Sequence, residues 1–320
     1  MVEPDVSIVI PTHNRVGRLG TALNHCLGED DGFDIEVVVV NDGSSDGTRE
    51  YLDQVDDHRV RVIHQSAQGA QVARNKGMTA ANGEYIKFLD DDDRLAPEAL
   101  GQELNILRQS SASVSYGAVQ IELMDGRTYV RVPSEEGDLV TGLMRNRVAA
   151  HPHAFLYHRD ALKGIRWNED LSYYQDTDFV FRVSSRGVST VRIPETVALH
   201  YQHDDGRISD RKQEAPVVEQ QRRRVETVLR SLRTLEEHDA LRPMHRTAAA
   251  QGIWRWAYMA APYDFSFFRE AVTKAKAIDP EFTPPRDRSL LAFCDRVVGP
   301  VATEALINPL RRSKHFFYGQ

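Results

Sequence analysis

Four consecutive aspartates, Asp90–Asp93, come directly after the apolar pair Phe88-Leu89. Adjacent carboxylates repel one another, so outside a metal site such a run raises the pKa values of its members and destabilises the fold. A hard divalent cation removes the repulsion, because Mg²⁺, Mn²⁺ and Ca²⁺ prefer carboxylate oxygens. In open α/β sheets ligands bind at the carboxyl ends of strands, and this run lies at such an end. The alternative is a solvated acidic turn in which Asp92 or Asp93 caps a helix beginning near Pro97.

The segments on either side of this run alternate between strand and helix patterns. Short β-branched runs bounded by turn formers or charge indicate strands, and runs this apolar are typical of strands buried on both faces of a parallel sheet. The predicted strands are Val6–Ile10, Ile35–Val40, Val60–Ile63 and Tyr85–Leu89. The helix-length segments between them are Arg15–Leu27, Asp46–Val55 and Ala70–Ala81. This order predicts a doubly wound α/β sheet.

The pattern changes in the rest of the chain. Val114–Met124 and Thr128–Val132 flank Asp125-Gly126, which predicts a hairpin. The last third carries an apolar stripe amid Arg and Glu, which is typical of helices. Its later helical segments are Ala248–Ala260 and Leu290–Leu310. We therefore predict two domains: an α/β domain over residues 1–210, and a mostly helical region over 211–320 that serves acceptor binding, oligomerisation or membrane proximity.

Composition and charge narrow the class of protein. Of the 320 residues, 41% are hydrophobic and 27% are charged, as in ordinary soluble proteins. The net charge of −7 argues against nucleic-acid binding, which needs a basic surface. Cys26 and Cys294 form no CxxC pair, and neither a signal peptide nor a membrane-length apolar run is visible. These features lead us to expect a cytoplasmic protein.

Four segments, in order along the chain, resemble the family 2 glycosyltransferases, which have the GT-A fold. They are similar to the family's first strand with its nucleotide loop, a second nucleotide segment, the stretch ending in the DXD motif, and the acceptor-side catalytic segment. The segments are Val6–Arg15, Val39–Thr48, Ala73–Gly77 with Asn82–Asp93, and Tyr174–Arg182. The resemblance covers residues 5–205 and implies a Rossmann-like, GT-A nucleotide-diphospho-sugar transferase core.

The resemblance also implies a nucleotide site. The nucleotide loop would consist of Pro11, Thr12, His13 and Asn14. Asp42 would accept a hydrogen bond from the imide N–H of uracil, and Arg74 would help to hold the donor. Taken alone, the same residues could form a strand-ending turn, an Asx-turn and a surface arginine on an Ala-rich helix. No P-loop and no dinucleotide fingerprint is present, which fits a site where a metal neutralises the diphosphate.

For the metal, the resemblance implies Mn²⁺ or Mg²⁺ bound by Asp92. Asp90 would face the ribose or the sugar, and Asp91, another donor-site residue, stands where the family usually has a small residue. His203 would be a second metal ligand, and the segment that contains it would form a flap over the diphosphate. Ser209 follows His203 as it does in the family. The alternative is that His203 is an ordinary histidine without a role in metal binding. Other imidazoles could also bind Mn²⁺ or contact phosphate. They are His151, His153 and His200.

The resemblance makes Asp176 the candidate general base, because the reaction needs an acceptor hydroxyl deprotonated as it attacks the anomeric carbon. The family motif is Glu-Asp, whereas this chain has Gln175-Asp176. The alternative is a helix N-cap, since Phe179, Val180 and Val183 follow at helical spacing. A single base without a covalent nucleophile implies direct displacement, and the resemblance to the family implies that the anomeric configuration inverts.

The sequence thus indicates an inverting, metal-dependent enzyme that moves a sugar from a nucleotide diphosphate, with UDP favoured, to an acceptor hydroxyl. The acceptor could be a glycan, a lipid-linked molecule or a small molecule, and the product a polysaccharide or another glycan. A catalytically degenerate nucleotide-sugar-binding module, a nucleotidyltransferase and a glycoside hydrolase are the alternatives. The sequence is also compatible with a homo-oligomer. It is compatible, too, with peripheral contact between the basic, aromatic segment Arg311–Tyr318 and the inner face of the membrane.

Overall fold

The computed structural model of the chain describes residues 3–28, 32–202, 216–285 and 289–318. It divides into two compact units. The first unit comprises Met1–Glu135, Val148–Ser184 and Val188–Arg207. The second comprises Glu136–Arg147, Ser185–Gly187 and Ile208–Gln320. The short segments 136–147 and 185–187 therefore belong to the second unit although they lie within residues 1–210. The functional division at 210/211 stays a prediction.

The β-branched runs near the start of the chain form the parallel half of a sheet in the first unit. Its strands are β1 (Val6–Thr12), β2 (Ile35–Asp42), β3 (Val60–Gln65) and β4 (Tyr85–Phe88), in the spatial order β3-β2-β1-β4. The connecting helices are α1 (Val16–Leu27), α2 (Thr48–Leu52) and α3 (Ala70–Ala80). Every residue of β1 and β4 is buried, as expected for strands covered on both faces. The predicted strands and helices are confirmed here to within a few residues.

The second half of the sheet is mixed rather than parallel. The elements in chain order are β5 (Arg94–Leu95), α4 (Ala99–Gln109), β6 (Val114–Glu122), β7 (Thr128–Arg131), β8 (Phe155–His158), α6 (Gln175–Ser184) and β9 (Thr190–Tyr201). The order continues from β4 through β8, β6 and β9 to β5, with β7 paired to β6 as the predicted hairpin. β8 is antiparallel to β4 and β6, whereas β9 is parallel to β6. A doubly wound parallel sheet therefore describes only the first four strands, because β8 returns in the opposite direction.

This topology gathers the polar residues that follow the parallel strands. Thr12 at the end of β1 pairs with Asn41 near the end of β2, and Val9 pairs with Phe88 at the end of β4. Parallel strands in register bring their carboxyl ends to one edge. The nucleotide loop, Asp42 and the acidic run consequently leave the sheet at the same edge.

The second unit is helical. Its elements are α5 (Leu139–Met144), α7 (Val217–Glu237), α8 (Pro243–Ala260), α9 (Phe265–Ile278), α10 (Ser289–Val298) and α11 (Pro300–Tyr318). The helical segment predicted over 290–310 is confirmed but consists of two helices, because Gly299 adopts φ +84° and ends α10 before Pro300 begins α11. None of the helices described here has the combined length and apolarity that crossing a membrane requires.

A buried ion pair fixes the strand that leads into the acidic run. Lys87 of β4 contacts Glu103 of α4, and both side chains are fully buried. Ser115 of β6 donates a further hydrogen bond to Glu103 at 3.3 Å. Breaking a buried pair by removing one charge leaves the other uncompensated in a medium of low polarity. The Lys87–Glu103 pair therefore holds β4 against α4.

We expect Glu103→Gln to lower the free energy of unfolding by about 3–5 kcal/mol, because the Lys87 ammonium would stay buried without its counter-charge. Urea unfolding followed by circular dichroism measures this. Glu50→Gln, at an exposed position on α2, is the matched control and should lie within about 0.5 kcal/mol of the parent protein. Equal losses in the two variants would contradict the interpretation.

Candidate functional site

The loops after β1 and β2 are held together by hydrogen bonds. His13 Nδ1 lies 2.6 Å from the carbonyl oxygen of Asp42. Asn14, at φ 54°, accepts a hydrogen bond from the amide of Ser45 at 2.7 Å and donates its own amide to Ser44 Oγ at 2.9 Å. Pro11 and Thr12 are buried at the end of β1, whereas His13 and Asn14 are exposed. The predicted nucleotide loop is thus more than a strand-ending turn, because it is joined to the second predicted nucleotide segment.

Asp42 is buried and accepts three hydrogen bonds from the protein. Its Oδ1 accepts from Gln65 Nε2 and from the amide of Gln68, each at 2.8 Å, and its Oδ2 accepts from the amide of Gly69 at 2.8 Å. The Asx-type contact in this turn is made by Asn41 instead, whose Oδ1 accepts from the amide of Ser44. Asp42 therefore links the end of β2 to the start of α3. A carboxylate has about four acceptor positions, so one is left for a ligand.

The acidic run after β4 is not a solvated turn. Asp91 is 8% exposed and Asp93 1% exposed, while Asp90 and Asp92 are half-buried. None of the four caps the next helix, since α4 begins at Ala99 with Glu98 as its N-cap. Asp93 lies between two imidazoles: its Oδ2 is 2.8 Å from His153 Nδ1 and its Oδ1 is 2.9 Å from His200 Nδ1.

Burial raises the pKa of both of these aspartates, but their neighbours act in opposite directions. Burial and the neighbouring Asp92 carboxylate raise the pKa of Asp91 to about 8, and the nearby hydroxyl of Thr12 opposes this rise. For Asp93, burial also favours protonation, but His153 and His200 outweigh it and hold the pKa well below the usual range. The run therefore combines one carboxyl group that readily takes up a proton with one that stays ionised.

Arg74 joins the acidic run to the candidate base. It is 3% exposed on α3, with its Nη2 2.5 Å from Asp90 Oδ1 and its Nη1 4.0 Å from Asp176 Oδ1. Its guanidinium stacks on the Trp167 ring at 4.6 Å. Neither Arg74 Nη1 nor Asp176 Oδ1 has a hydrogen-bond partner among the described residues, and both atoms are buried. The surface-arginine alternative is wrong, because Arg74 lies inside the site.

Asp176 lies within α6 rather than before it, because the helix begins at Gln175 and follows Tyr174 at φ 70°. The N-cap alternative is therefore wrong. About a third of the side chain, 35%, is exposed, but Oδ1 is shielded from solvent. Burial raises the pKa of Asp176 to about 6, Arg74 opposes this increase, and Asp90 adds to it. A carboxylate with a pKa near neutrality is suited to accept a proton.

Within the described part of the chain, two groups of side chains could hold a metal ion. Asp90, Asp92 and Asp93 each offer an oxygen within 4.8 Å of the others. Three carboxylate oxygens at this spacing fit a hard cation such as Mg²⁺ or Mn²⁺. The second group is formed by the three imidazoles His151, His153 and His200. The predicted ligand His203, with Ser209 and the flap between them, lies outside the described residues.

The comparison with known families decides between the classes that the sequence leaves open. The sequence profile described as glycosyl transferase family 2 matches residues 7–166, which is half of the 320-residue chain. The chain belongs to glycosyl transferase family 2. Its mixed sheet followed by helices is the GT-A fold with a helical C-terminal region, as the sequence predicts. The resemblance drawn from the four segments is confirmed.

Relatives with curated names and solved structures agree with the family. The putative glycosyltransferase EpsH of Bacillus subtilis is 31% identical over 210 residues, which are 61% of this chain and 60% of EpsH. The putative teichuronic acid biosynthesis glycosyltransferase TuaG of the same organism is 32% identical over 127 residues, 39% of this chain and 50% of TuaG. The chain thus matches only about half to three fifths of these relatives' length.

Among solved structures, S. aureus TarS 1-349 is similar in fold. It aligns with a TM-score of 0.64 at 17% identity, over 99% of this chain and 92% of that chain. The same protein solved in complex with UDP-GlcNAc aligns with a TM-score of 0.59 at 16% identity, over the same shares of both chains. At this level of identity the likeness concerns the fold.

Three features of this family 2 site have no clear signal in the sequence. Trp167 contacts Arg74 although 93 positions separate them in the chain. The two backbone donors to Asp42 come from the turn before α3. Tyr157, whose buried hydroxyl has no hydrogen-bond partner in the described part of the chain, lies near Asp176; burial and then that carboxylate raise the Tyr157 pKa well above 10. Each depends on tertiary packing.

The raised pKa of Asp176 predicts a pH dependence of stability. Because its folded pKa of about 6 exceeds the usual 3.8, its contribution to stability is fully present below the lower value and lost as the pH rises through the higher one. Relative to Asp176→Asn, we expect the parent protein to lose about 1–2 kcal/mol between about pH 4 and 7, allowing for partial exposure.

Urea unfolding at a series of pH values, in chelator and without nucleotide, measures this difference. Asp170→Asn changes an exposed aspartate on the preceding loop and should follow the parent protein at every pH. If the Asp176→Asn curve ran parallel to that of the parent protein, the raised pKa would be refuted.

Proposed function

We propose that this chain transfers a sugar from a nucleoside diphosphate to an acceptor hydroxyl, with inversion at the anomeric carbon and a divalent cation at the acidic run. The observation that carries the proposal is the buried guanidinium of Arg74 between Asp90 and Asp176. It joins a cation-binding segment to a carboxylate suited to proton transfer. Family membership supports sugar transfer over the nucleotidyltransferase and hydrolase alternatives.

On the donor side, Asp92 would hold Mn²⁺ or Mg²⁺, with Asp90 and Asp93 within reach. When bound, such a cation stabilises the negative charge that develops on a leaving diphosphate. Arg74 contributes a second, permanent positive charge, and its unpartnered Nη1 could donate a hydrogen bond to a donor oxygen. Asp90, oriented by Arg74 Nη2, would face the ribose or the sugar.

On the acceptor side, Asp176 would take the proton of the attacking hydroxyl. The acceptor oxygen forms a bond to the anomeric carbon while the bond from that carbon to the diphosphate oxygen breaks, and the nucleoside diphosphate leaves with the electron pair. Direct displacement by one attacking oxygen inverts the anomeric configuration. The shielded Oδ1 of Asp176 lies close to Arg74 but beyond hydrogen-bond distance, so neither atom is engaged by the other in a hydrogen bond.

For the base we propose uracil. Asp42 retains one acceptor position beside its three protein donors, which suits the imide N–H of uracil. TarS, similar in fold, has been solved with UDP-GlcNAc. For the acceptor we propose a growing polysaccharide or lipid-linked glycan, because TuaG is named for teichuronic acid biosynthesis. Cytoplasmic location, oligomer formation and membrane contact through 311–318 stay predictions; side chains beyond Arg311 lie outside the described residues.

Nucleotide binding provides the first test of this proposal. We expect UDP with Mn²⁺ to raise the unfolding free energy by about 2.7 kcal/mol at a hundredfold excess over Kd, since a ligand that binds only the folded state stabilises it. GDP, dTDP and CDP should stabilise less. Thermal unfolding with each nucleotide, with and without Mn²⁺, measures this.

The matched variants for that test are Asp92→Ala and Asp56→Ala. Asp92→Ala should remove the metal-dependent part of the stabilisation, because it deletes a carboxylate of the acidic run. Asp56→Ala changes an exposed aspartate after α2 and should keep the full effect. Stabilisation by no nucleotide with any metal would refute the donor site and favour a scaffold or a hydrolase.

The role of Asp176 is tested by transfer kinetics. Asp176→Asn should lower kcat by about 10²–10⁴-fold, because general-base catalysis contributes that much, while UDP binding is kept. In the parent protein, kcat/KM should rise as the pH increases through about 6, since only the ionised carboxylate accepts a proton. A variant that binds UDP and transfers sugar at the parent rate would exclude Asp176 as the base.

A further inference from the structure

The three imidazoles beside the acidic run form a compact group of their own. The ring centres of His151 and His153 lie 5.3 Å apart, those of His151 and His200 4.6 Å apart, and those of His153 and His200 5.6 Å apart. Each ring offers a nitrogen within 4.8 Å of the others. His151 and His153 come from the 3₁₀ turn before β8, and His200 from the end of β9. The sheet therefore brings together three possible ligands from two segments that are far apart in the chain.

Asp93 orients two of these rings. Its two carboxylate oxygens lie 2.8 Å from His153 Nδ1 and 2.9 Å from His200 Nδ1. For His200 this contact is a hydrogen bond, so an ionised carboxylate at Nδ1 requires the proton there and the lone pair of the neutral ring lies on Nε2. For His153 the two atoms lie within ion-pair distance but do not form a hydrogen bond. A carboxylate behind a histidine is the usual arrangement behind metal-binding imidazoles, because it fixes the tautomer and raises the basicity of the ligand.

His153 provides a second, independent observation. Its side chain is fully buried, and its Nε2 has no hydrogen-bond partner among the described residues. A buried polar nitrogen without a partner costs free energy, so native structures rarely retain one without a use. The other two rings of the group lie against it. A metal ion would satisfy this nitrogen.

We propose that His151, His153 and His200 bind a late transition metal of the Zn²⁺ class, at a site separate from the cation site of the acidic run. Imidazole nitrogens favour Zn²⁺, Co²⁺, Ni²⁺ or Cu²⁺, whereas carboxylate oxygens favour Mg²⁺ and Mn²⁺. Three histidines leave a fourth position for water or another ligand. Asp93 belongs to this site as the carboxylate that positions His153 and His200, and not as a direct ligand.

A metal at this site would fix the positions of the segments that carry its ligands. A metal at the three rings would join the turn before β8 to the end of β9, and through Asp93 it would hold the backbone next to Asp92. Metal binding would then order the acidic run before any donor arrives. The inference does not depend on sugar transfer, since it concerns binding of the metal alone.

The test uses the full chain without a histidine tag, stripped with a chelator, and Co²⁺ as the only added ligand. One equivalent of Co²⁺ should give the visible absorption of a four- or five-coordinate ion with nitrogen ligands, and Zn²⁺ should abolish it. His151→Gln and His200→Gln, both at partly exposed positions, should each weaken Co²⁺ binding by about tenfold or more. Circular dichroism checks that both variants are folded.

Two control variants make the outcome decisive. His58→Gln changes a histidine that is 95% exposed and should bind Co²⁺ like the parent protein. Asp92→Asn should also keep the absorption, because Asp92 belongs to the carboxylate site. The proposal is overturned if Co²⁺ gives no such band or if the band survives His151→Gln and His200→Gln. Loss of the band in Asp92→Asn as fully as in the histidine variants would instead indicate one shared site.

Discussion

The site depends on one physical constraint: its carboxylates are buried away from water, and their negative charge must be compensated. The fold places several carboxylates at the ends of buried elements, and a carboxylate that loses water needs a cation, hydrogen-bond donors or a proton. Asp90 contacts the guanidinium of Arg74. Asp91 is left with a raised pKa, and Asp93 is held ionised between two imidazoles. Three neighbours in sequence thus have three different electrostatic environments, which allows them to have different roles.

Arg74 is the centre of this arrangement, and its position is fixed from several directions. The ring of Trp167 covers one face of the guanidinium. The loop that carries Trp167 is held to α3 by Asn75, whose side chain accepts from the Trp167 amide at 2.7 Å and donates to the Trp167 carbonyl at 2.9 Å. A guanidinium fixed in this way cannot turn towards solvent. It therefore keeps Asp90 and Asp176 near one another although they are far apart in the chain.

The sheet supplies the two halves of the site by two different routes. Its parallel strands bring the ends of β1, β2 and β4 to one edge, which carries the nucleotide loop, Asp42 and the acidic run. Its mixed strands deliver the histidines, because β8 follows the turn with His153 and β9 ends next to Asp93. The carboxylates and the imidazoles are consequently neighbours, and Asp93 belongs to the first group while it contacts two rings of the second. The difference between oxygen and nitrogen donors is the physical basis on which we propose different classes of metal for the two groups.

The sequence alone determined the family, the alternation of strands and helices at the start of the chain, and the residue types that could bind a nucleotide diphosphate. These follow from local information: apolar periodicity, turn formers, and carboxylates directly after a buried strand. It did not reveal the antiparallel return of β8, the break at Gly299 in the predicted C-terminal helical segment, or that Asp176 lies inside α6. The direction of a strand depends on how helices and loops pack over the sheet. The residue at which a helix begins depends on contacts with residues outside that helix.

The electrostatic surroundings of the site residues were likewise decided by tertiary structure. Asp90 to Asp93 are identical in type and adjacent in sequence, and only their packing distinguishes an Arg74 partner from an imidazole partner. The same holds for Arg74, which an Ala-rich helix would by itself present to solvent. It also holds for Asp176, whose pKa is raised by burial and by Asp90 and lowered by Arg74. Sequence sets which groups can ionise, whereas desolvation and neighbouring charges depend on distances that only the folded chain defines.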